Sequence, residues 1–419
     1  MNDYSPLFQS EKNIMKKYIA LAVCLFALTF AVNFASAQTE SSPQIRQKTF
    51  EKIWKTVNEK FYDANLGGVD WKAARMRYAP QVAAVKSDAE FYELMEKMLG
   101  EFKVSHLQVI TPDTLARLRE PGATTGLILR QIENQVVVGH LLENSSAAKA
   151  GLKTGFVVTK INGEAVVNLA DAKRKLSGLP NTSLNISYSN ETDEERETTL
   201  ARAALSDEDS QNLGGGLRLY SHFESRLLNG NIGYLHFTNF LAILNPRIKT
   251  AMESFKDAGG IIIDLRGNGG GDDSVALKIA NMLFEKETQL MITKTRKGDD
   301  FYYKAKPSKN PYAGRVAIIV DETSGSASEQ IAAGLQEAKR AFVVGVTTKG
   351  ADLDSTSVRL PIKALLLYPY GQPRTPQGIV IEGRGVIPDR EVRLMRKDLL
   401  TGRDAQLESA IDYIKNGGR

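Results

Sequence analysis

The sequence contains few of the residues on which several common kinds of site depend. Its 419 residues include one cysteine, Cys24, four histidines and two tryptophans. One cysteine allows no internal disulfide and no thiolate metal site, and no thiolate nucleophile remains if the segment around Cys24 is removed. Blocks of lysine and arginine with interleaved aromatic residues are also lacking, and the net charge is only +5. Nucleic-acid binding therefore gains no support.

Long apolar runs are scarce too, and the one that stands out lies near the N-terminus. Two lysines precede an apolar run over residues 18–34, and Ala35-Ser36-Ala37 follows it. This order is typical of a secretory signal peptide cleaved after Ala37, with Met15 as the starting residue. The alternatives are a transmembrane anchor, for which the run is slightly short, and lipidation at Cys24. We expect a periplasmic or secreted protein without a stable membrane span after cleavage.

Length and patterning indicate a multidomain α/β protein. Apolar residues make up 42% of the chain and charged residues 25%, and 419 residues leave room for two or three hydrophobic cores. Apolar residues at helical spacing come first, short alternating strands follow, and strands then alternate with helices as in a buried, mostly parallel sheet. The expected division is a signal peptide over 1–37, a helical lobe over 38–120, a β-rich domain over 121–205 and an α/β core over 206–419.

The glycine-rich stretch over residues 264–274 follows an apolar strand and precedes a helix. Asp272 stands where a dinucleotide-binding G-x-G-x-x-G fingerprint starting at Gly267 needs its third glycine, and Asp272 and Asp273 would repel phosphate. Backbone N–H groups without side chains at a helix start suit a different task, the stabilisation of a transient oxyanion. A tight turn without function is the alternative.

Three serines lie between the next apolar strand and the next helix, in the stretch TSGSASEQ at residues 323–330. In an open α/β sheet the carboxyl ends of the strands form the ligand-binding edge, so this stretch and the glycine-rich stretch should meet there. A serine at a helix N-terminus gains from the helix dipole, because its alkoxide and the tetrahedral oxyanion are both negative. Ser326 and Ser328 are the candidate nucleophiles. The G-x-S-x-G elbow of α/β-hydrolases is missing.

Several stretches, taken in order, resemble one peptidase family. Residues 145–166 resemble part of a PDZ domain, in which Gly126, Leu127, Ile128 and Leu129 occupy the place of the carboxylate-binding loop. With this unit, the chain is similar to the C-terminal processing (tail-specific) serine peptidases, in their tricorn-protease-like branch. The other stretches that carry the resemblance are FEKIWKTVNEKFYD, MLGEFKVSHLQV, GYLHF, DLRGNGGG, TSGSASEQIAAGLQEAKRAFVVG and IEGRGVIPD. The resemblance implies a helical N-terminal lobe, a PDZ-like β-rich domain and a crotonase/ClpP-like βαβ catalytic core.

The resemblance also assigns roles around the nucleophile. It implies that Ser326, the first serine of a Ser-Ala-Ser-Glu element, attacks the substrate, and that Ala327 and Gly270 donate N–H groups to the oxyanion. In one branch of the family a lysine takes the proton, but that position falls on Ala351 and Lys349 lies beside it. The polar loop around Lys349 also gives no sign of the burial that would lower a lysine's pKa.

In the tricorn-like branch the base is a histidine from a Ser-His element, supported by a late glutamate. Ser105 and His106 match the first element and Glu382 matches the second, while Leu107 departs from the threonine often found after that histidine. The resemblance thus implies that His106 deprotonates Ser326 while Ser105 and Glu382 orient the site. The remaining histidines carry no motif; they are His140, His222 and His236.

Together these features predict an exported serine endopeptidase without metal or nucleotide cofactors. Its PDZ-like domain would recruit protein or peptide substrates through their free C-terminal tails. Three alternatives stay open at this point: a Ser326/Lys349 dyad peptidase, a non-catalytic peptide- or ligand-binding relative, and a crotonase-like acyl-CoA enzyme. The last of these would need neither a signal peptide nor a serine nucleophile. The sequence leaves the oligomeric state open.

Overall fold

The computed structural model describes residues 40–417. The expected signal peptide, with Met15, Cys24 and the cleavage site after Ala37, lies outside these residues. Among the helices of residues 40–417, none has the length and apolar character needed to cross a membrane.

The described chain folds into eleven α-helices and twenty-one strands. In chain order the helices are α1 (Pro43–Lys60), α2 (Trp71–Ala84), α3 (Asp88–Leu99), α4 (Pro112–Arg117), α5 (Ser146–Lys149), α6 (Leu169–Leu176), α7 (Asn245–Ser254), α8 (Asp273–Asn281), α9 (Ala327–Glu337), α10 (Arg396–Leu400) and α11 (Ala405–Asn416).

The strands range from two to ten residues in length. They are β1 (Gln108–Ile110), β2 (Ala123–Thr124), β3 (Leu127–Ile132), β4 (Gln135–Leu141), β5 (Val157–Ile161), β6 (Glu164–Ala165), β7 (Ser183–Ser189), β8 (Glu195–Ala201), β9 (Ala203–Ala204), β10 (Ser210–Gly214), β11 (Leu217–Tyr220), β12 (Phe223–Leu228), β13 (Ile232–Phe237), β14 (Gly260–Asp264), β15 (Thr288–Thr295), β16 (Phe301–Ala305), β17 (Arg315–Val320), β18 (Phe342–Gly345), β19 (Asp354–Arg359), β20 (Leu365–Arg374) and β21 (Arg390–Glu391).

The N-terminal lobe consists of α1, α2 and α3, of which α1 and α3 lie where the apolar spacing predicts helices. Ser42, Asp70 and Ser87 begin the three helices by accepting a backbone N–H of the first turn with their side chains. The hydrophobic core of the lobe also includes side chains from a distant strand, since Leu366 and Tyr368 of β20 pack into it. Strand β1 also pairs with β20, which binds the segment after the lobe to a five-stranded sheet with β15, β16 and β19.

The β-rich segment forms a six-stranded sheet with the path β3-β4-β5-β7-β8, and β6 pairs with β5. Its apolar side chains form a separate cluster that includes Leu129, Val138 and Ile186. Within residues 40–417, β3 hydrogen-bonds to β4 alone and therefore lies at the edge of this sheet.

The C-terminal core is built on a second six-stranded sheet, ordered β12-β13-β14-β17-β18-β21. Strand β12 pairs antiparallel with β13, and the remaining pairs are parallel. Because side chains alternate across a strand, Ile261 and Ile263 pack towards α7, α8 and α9, whereas Ile262 packs towards α11 on the opposite face. Covering both faces explains why these strands are continuously apolar.

Candidate active site

The two stretches singled out in the sequence meet at one edge of the core sheet. Strands β14 and β17 are parallel neighbours with Asp264 opposite Ile319, so the loops that follow them leave the sheet side by side. A Cβ atom on Gly270 would lie only 2.7 Å from the Cβ of Ser326 and 3.1 Å from the N of Ala327. Only glycine allows this approach, and the expected proximity of the two stretches is confirmed.

Ser326 has a backbone conformation that serine rarely adopts, with φ at 52°. It immediately precedes α9, and its N–H donates to the carbonyl oxygen of Ala351 at 2.9 Å. Such strain concentrates at functional sites, where the surrounding structure maintains it. Ala327 is the first residue of α9, so its N–H has no acceptor within the helix and lies at the positive end of the helix dipole.

The other two serines of the stretch bind the glycine-rich loop. The Oγ of Ser324 donates to the carbonyl oxygen of Leu265 at 2.8 Å, and the Oγ of Ser328 donates to that of Asn268 at 3.0 Å. Both hydroxyl groups are buried and engaged in joining the two loops. These structural roles distinguish Ser324 and Ser328 from Ser326.

The glycine-rich loop is itself held by Asn268. The side chain of this buried residue donates to the carbonyl oxygen of Phe237 at 2.8 Å and accepts the N–H of Gly270 at 2.9 Å. Gly270 lies against Ser326, as expected, but its N–H already has an acceptor. A role in the oxyanion hole would require this N–H to be shared with, or transferred to, the substrate oxygen.

A chain of hydrogen bonds runs from Glu382 through Ser105 to His106. Glu382 accepts the backbone N–H of Ser105 at 2.6 Å and its hydroxyl at 2.8 Å, across 277 positions of sequence. The Oγ of Ser105 also lies 2.7 Å from Nδ1 of His106. We call these three residues the histidine relay.

The histidine relay determines the tautomer of the imidazole. A carboxylate only accepts hydrogen bonds, so the hydroxyl of Ser105 donates to Glu382 and its lone pair accepts from Nδ1–H of His106. Nε2 of His106 is then the nitrogen without a proton, as a general base requires. Burial, followed by the positive charge of Lys349, lowers the pKa of His106 to about 3, so the ring is neutral at physiological pH.

Residues 347–351, which we call the lysine loop, are organised by another carboxyl group, that of the buried Glu329. Glu329 of α9 accepts the N–H groups of Gly350 at 2.6 Å, Ala351 at 2.9 Å and Ser326 at 3.1 Å, and also the hydroxyl of Thr348. These bonds join the lysine loop to the backbone of the nucleophile. Neither the sequence spacing nor the family motif pointed to Glu329 in this role.

The charge of Lys349 interacts with the candidate site, because it helps to lower the pKa of His106. Its aliphatic stem approaches Gly325, and part of its side chain remains exposed. Desolvation nevertheless lowers the pKa of Lys349 to about 8, against an opposing effect of Glu329. The polar sequence of the loop showed no sign of this desolvation, because desolvation depends on segments that are distant in the sequence.

The lysine loop and the histidine relay share one short segment. Ala351 accepts the N–H of Ser326, and the next residue, Asp352, donates its N–H to Glu382 at 2.8 Å. Ser326 and the histidine relay are thus joined through a single peptide unit.

The segment expected to bind a peptide carboxylate lies at the start of β3. Gly126, at φ 85°, precedes the strand, and Leu127, Ile128 and Leu129 are its first three residues. The next residue, Arg130, forms a buried ion pair with Asp321, which follows β17. Asp321 also accepts the N–H of Gly267 at 3.1 Å, so the edge strand contacts both active-site loops.

The three histidines without a motif lie together beside this contact. The rings of His222 and His236 are 5.9 Å apart, and His140 of β4 approaches Glu224 of β12. Burial lowers the pKa of all three, and their positive charges would oppose one another. The sequence carried no signal for this cluster, since His140 lies in β4, His236 lies in β13 and His222 immediately precedes β12.

Two domain families match the chain. The profile of Peptidase family S41 matches residues 231–392, which contain both active-site loops and Glu382. The profile of the tricorn protease C1 domain matches residues 42–100, which contain α1, α2 and α3.

Individual relatives cover most of the chain at low identity. A carboxyl-terminal-processing protease of Synechocystis sp. is 24% identical over 95% of this chain and 93% of its own length. A tricorn protease homologue of Streptomyces coelicolor is 23% identical over 87% of this chain and 32% of its own length. The photosystem II D1 C-terminal processing protease shares the fold with a TM-score of 0.60, at 23% identity over 89% of this chain and 97% of that one. These matches show a Peptidase S41 domain over residues 231–392 and a tricorn protease C1 domain over residues 42–100, and the protein is a serine peptidase related to the carboxyl-terminal-processing proteases.

Proposed function

We propose that this peptidase is an exported endopeptidase that uses Ser326 as its nucleophile and His106 as its base. The observation that carries the proposal is the histidine relay, which orients one imidazole beside the loops of a strained serine. A hydrogen-bonded carboxylate, hydroxyl and imidazole have no evident structural need to converge at that place. They are the groups that a serine peptidase requires.

In the proposed mechanism the Oγ of Ser326 attacks the carbonyl carbon of the scissile bond. His106 accepts the serine proton on Nε2 and returns it to the leaving amine, and water then hydrolyses the acyl-enzyme by the same proton transfers in reverse order. Ser105 and Glu382 keep the imidazole in the required tautomer and stabilise its positive charge. The negative charge that develops during attack raises the pKa of His106, which burial otherwise holds low.

The oxyanion is stabilised in this proposal by Ala327 and Gly270. The N–H of Ala327 lies at the N-terminus of α9, where the helix dipole favours negative charge. The N–H of Gly270 changes acceptor from Asn268 to the oxyanion during the reaction. Because Gly270 is in van der Waals contact with Ser326, only a small movement is needed.

The β-rich domain supplies substrate recruitment in this proposal. We assign it a PDZ-like role in which the C-terminal tail of a substrate adds a strand to the edge of β3 and its carboxylate lies against Gly126. The free edge of β3 and its contact with Asp321 through Arg130 support this role. The core sheet is assigned a crotonase/ClpP-like arrangement, and the leader over residues 1–37 directs export with cleavage after Ala37.

One observation favours a second candidate, a dyad of Ser326 and Lys349. Lys349 is close to Gly325, and its pKa of about 8 leaves a useful fraction of the amine neutral near that pH. A lysine base in the family removes the same proton from the same serine, so both candidates predict the same nucleophile. They differ in which substitution abolishes peptidase activity, that of His106 or that of Lys349.

Labelling by a fluorophosphonate tests the proposed nucleophile. We expect the intact protein to be labelled at one site and the Ser326→Ala variant to lose both the label and peptidase activity. Ser324→Ala serves as a control because its hydroxyl binds Leu265 instead. Labelling that persists in Ser326→Ala would place the nucleophile at another residue, whereas an intact protein that never reacts would favour the non-catalytic alternative.

A further inference from the structure

The peptide unit between Ala351 and Asp352 holds two parts of the candidate site at once. Its carbonyl oxygen accepts the N–H of Ser326 at 2.9 Å, and its N–H donates to Glu382 at 2.8 Å. A peptide unit is planar, so its carbonyl and N–H groups cannot move independently of each other. A displacement of this unit therefore disturbs Ser326 and the histidine relay together.

The side chain attached to this peptide unit is a carboxyl group without donors. Asp352 is fully buried, and neither of its oxygens has a hydrogen-bond partner of good geometry in the described part of the chain. The neighbouring amide group of Gln330 donates to Asp354 instead, at 3.0 Å. Because a buried carboxylate needs hydrogen-bond donors or a cation, the surroundings of Asp352 do not suit its ionised form.

Asp354, two positions further along the chain, has the opposite surroundings. It is the first residue of β19, and besides the amide of Gln330 it accepts the hydroxyl of Thr293 at 2.6 Å and that of Tyr303 at 3.1 Å. Three donors favour a carboxylate at this position. Since like charges repel strongly in a buried place, a negative charge on Asp354 further favours the neutral form of Asp352.

Other acidic groups surround these two aspartates. The titratable groups that face them or their neighbours are Glu329 of α9, Asp273 and Asp272 at the start of α8, Tyr303 of β16 and Tyr370 of β20. Burial, followed by the charges of Glu329 and Asp354, raises the pKa of Asp352 well above its usual range. The positive charge of Lys349 interacts with Glu329 and His106.

We propose that Asp352 is a positioning residue that keeps the peptide unit in place only while its carboxyl group is protonated. The inference rests on the proposed function, because it concerns the alignment of Ser326 with the histidine relay. A neutral carboxyl group can stay buried and can donate its proton to a neighbouring acceptor. Loss of this proton to the solvent at alkaline pH leaves a buried charge without donors. The side chain then moves towards water and displaces the peptide unit to which it is attached.

The pH profile of peptidase activity tests the positioning role. For each protein, kcat/KM on one peptide with a blocked N-terminus is measured at about pH 9.5 and divided by its own value at pH 7. We expect this ratio to be about 0.1 in the unmodified enzyme and above about 0.3 in Asp352→Asn, which has a similar shape but no proton to lose. The matched control, Asp257→Asn, removes an exposed carboxyl group and should keep the low ratio. An alkaline loss that persists in Asp352→Asn, or an unmodified enzyme without such a loss, would overturn the proposal.

Lys349 also titrates in this range, since its pKa is about 8. The profile is therefore repeated in Lys349→Met and in the double variant with Asp352→Asn. We expect the alkaline loss to remain in the first and to be absent from the second. A loss that disappears in Lys349→Met alone belongs to the lysine and would contradict the role of Asp352.

Thermal unfolding follows the same ionisation without any measurement of activity. A carboxyl group whose pKa is raised on folding contributes stability below its unfolded pKa of about 4, and this stability is lost as the pH rises towards the folded pKa. Asp352→Asn cannot lose it. Its melting temperature relative to that of the unmodified protein should therefore rise by about 5 °C between about pH 5 and about pH 9.5. A difference that stays constant with pH would count against the proposal. Asp352→Ala provides a second variant without a titrating group, and its lost packing does not depend on pH.

Labelling by a fluorophosphonate separates this inference from the proposed function. If the reagent labels Ser326 and the alkaline loss is the same with and without the Asp352 carboxyl group, the nucleophile is correct and the positioning role is wrong. If the unmodified protein is neither labelled nor active, the proposed function fails and the positioning role fails with it, whatever the melting temperatures show.

Discussion

The histidine relay and the lysine loop both place a basic side chain near Ser326, and a glutamate organises each of them: Glu382 within the relay and the buried Glu329 of α9 beside the loop. In the relay, Glu382 acts through Ser105 on the imidazole of His106 and so orients the base itself. In the lysine loop, Glu329 accepts mainly backbone N–H groups and orients the loop. Desolvation lowers the pKa of both side chains, but His106 is almost fully buried whereas part of the Lys349 side chain remains exposed. The two groups therefore differ in burial as well as in orientation.

The largest expected effect is the difference in kcat/KM between a variant of His106 and a variant of Lys349. We expect His106→Ala to lower kcat/KM by about 10⁴-fold, because it removes the proton acceptor, and Lys349→Met to lower it by less than about tenfold. Steady-state cleavage of one peptide by each variant and by the unmodified enzyme measures these changes in kcat/KM. If Lys349→Met abolishes activity while His106→Ala retains it, the dyad of Ser326 and Lys349 is the correct mechanism.

The carboxylate of the histidine relay has the next largest effect. Glu382→Gln should lower kcat by about 100-fold, since a glutamine presents only one acceptor oxygen to the three donors that the carboxylate now accepts. The KM should change little, because Glu382 does not touch substrate in the proposed mechanism. A large rise in KM with constant kcat would instead place Glu382 in substrate binding.

Glu329, which accepts hydrogen bonds from the lysine loop, should matter more for the stability of the protein than for its chemistry. Replacing Glu329 by glutamine leaves at least one buried N–H without its acceptor, at a cost of about 2 kcal/mol in the free energy of unfolding. Urea denaturation measures this loss, and we expect kcat/KM to fall by only about tenfold at a temperature where the variant is folded. A fall as large as that of Glu382→Gln would remove the distinction between the two glutamates.

The smallest effect is on the pH dependence of activity. Only neutral His106 accepts a proton, and its pKa of about 3 keeps it neutral, so kcat/KM should stay constant as the pH falls from 7 to about 5. The charge of Lys349 contributes to that low pKa, so Lys349→Met should raise the pKa of His106 and move the acid limb to higher pH. A shift to lower pH, or an acid limb that starts near pH 6.5 in the unmodified enzyme, would contradict this assignment.

Local features of the fold were largely predictable from the sequence. The lobe helices begin at serine and aspartate caps, and the core strands are apolar runs followed by helices, because both patterns depend on neighbouring residues. The adjacency of the two active-site loops followed from the parallel sheet. Neither the pKa of Lys349 nor the position of Glu329 could be obtained in this way. Each depends on side chains that other segments bring to the same place.

The sequence by itself determined which residues are chemically able to act: a serine at a strand-to-helix junction, a glycine where no side chain fits, and a Ser-His pair with a late glutamate. Only the tertiary structure decided what each one does. It engages the hydroxyls of Ser324 and Ser328 in loop contacts and joins Glu382 to Ser105 across 277 positions. The physical reason is that hydrogen bonds and desolvation depend on distance in space, which packing sets and sequence spacing does not.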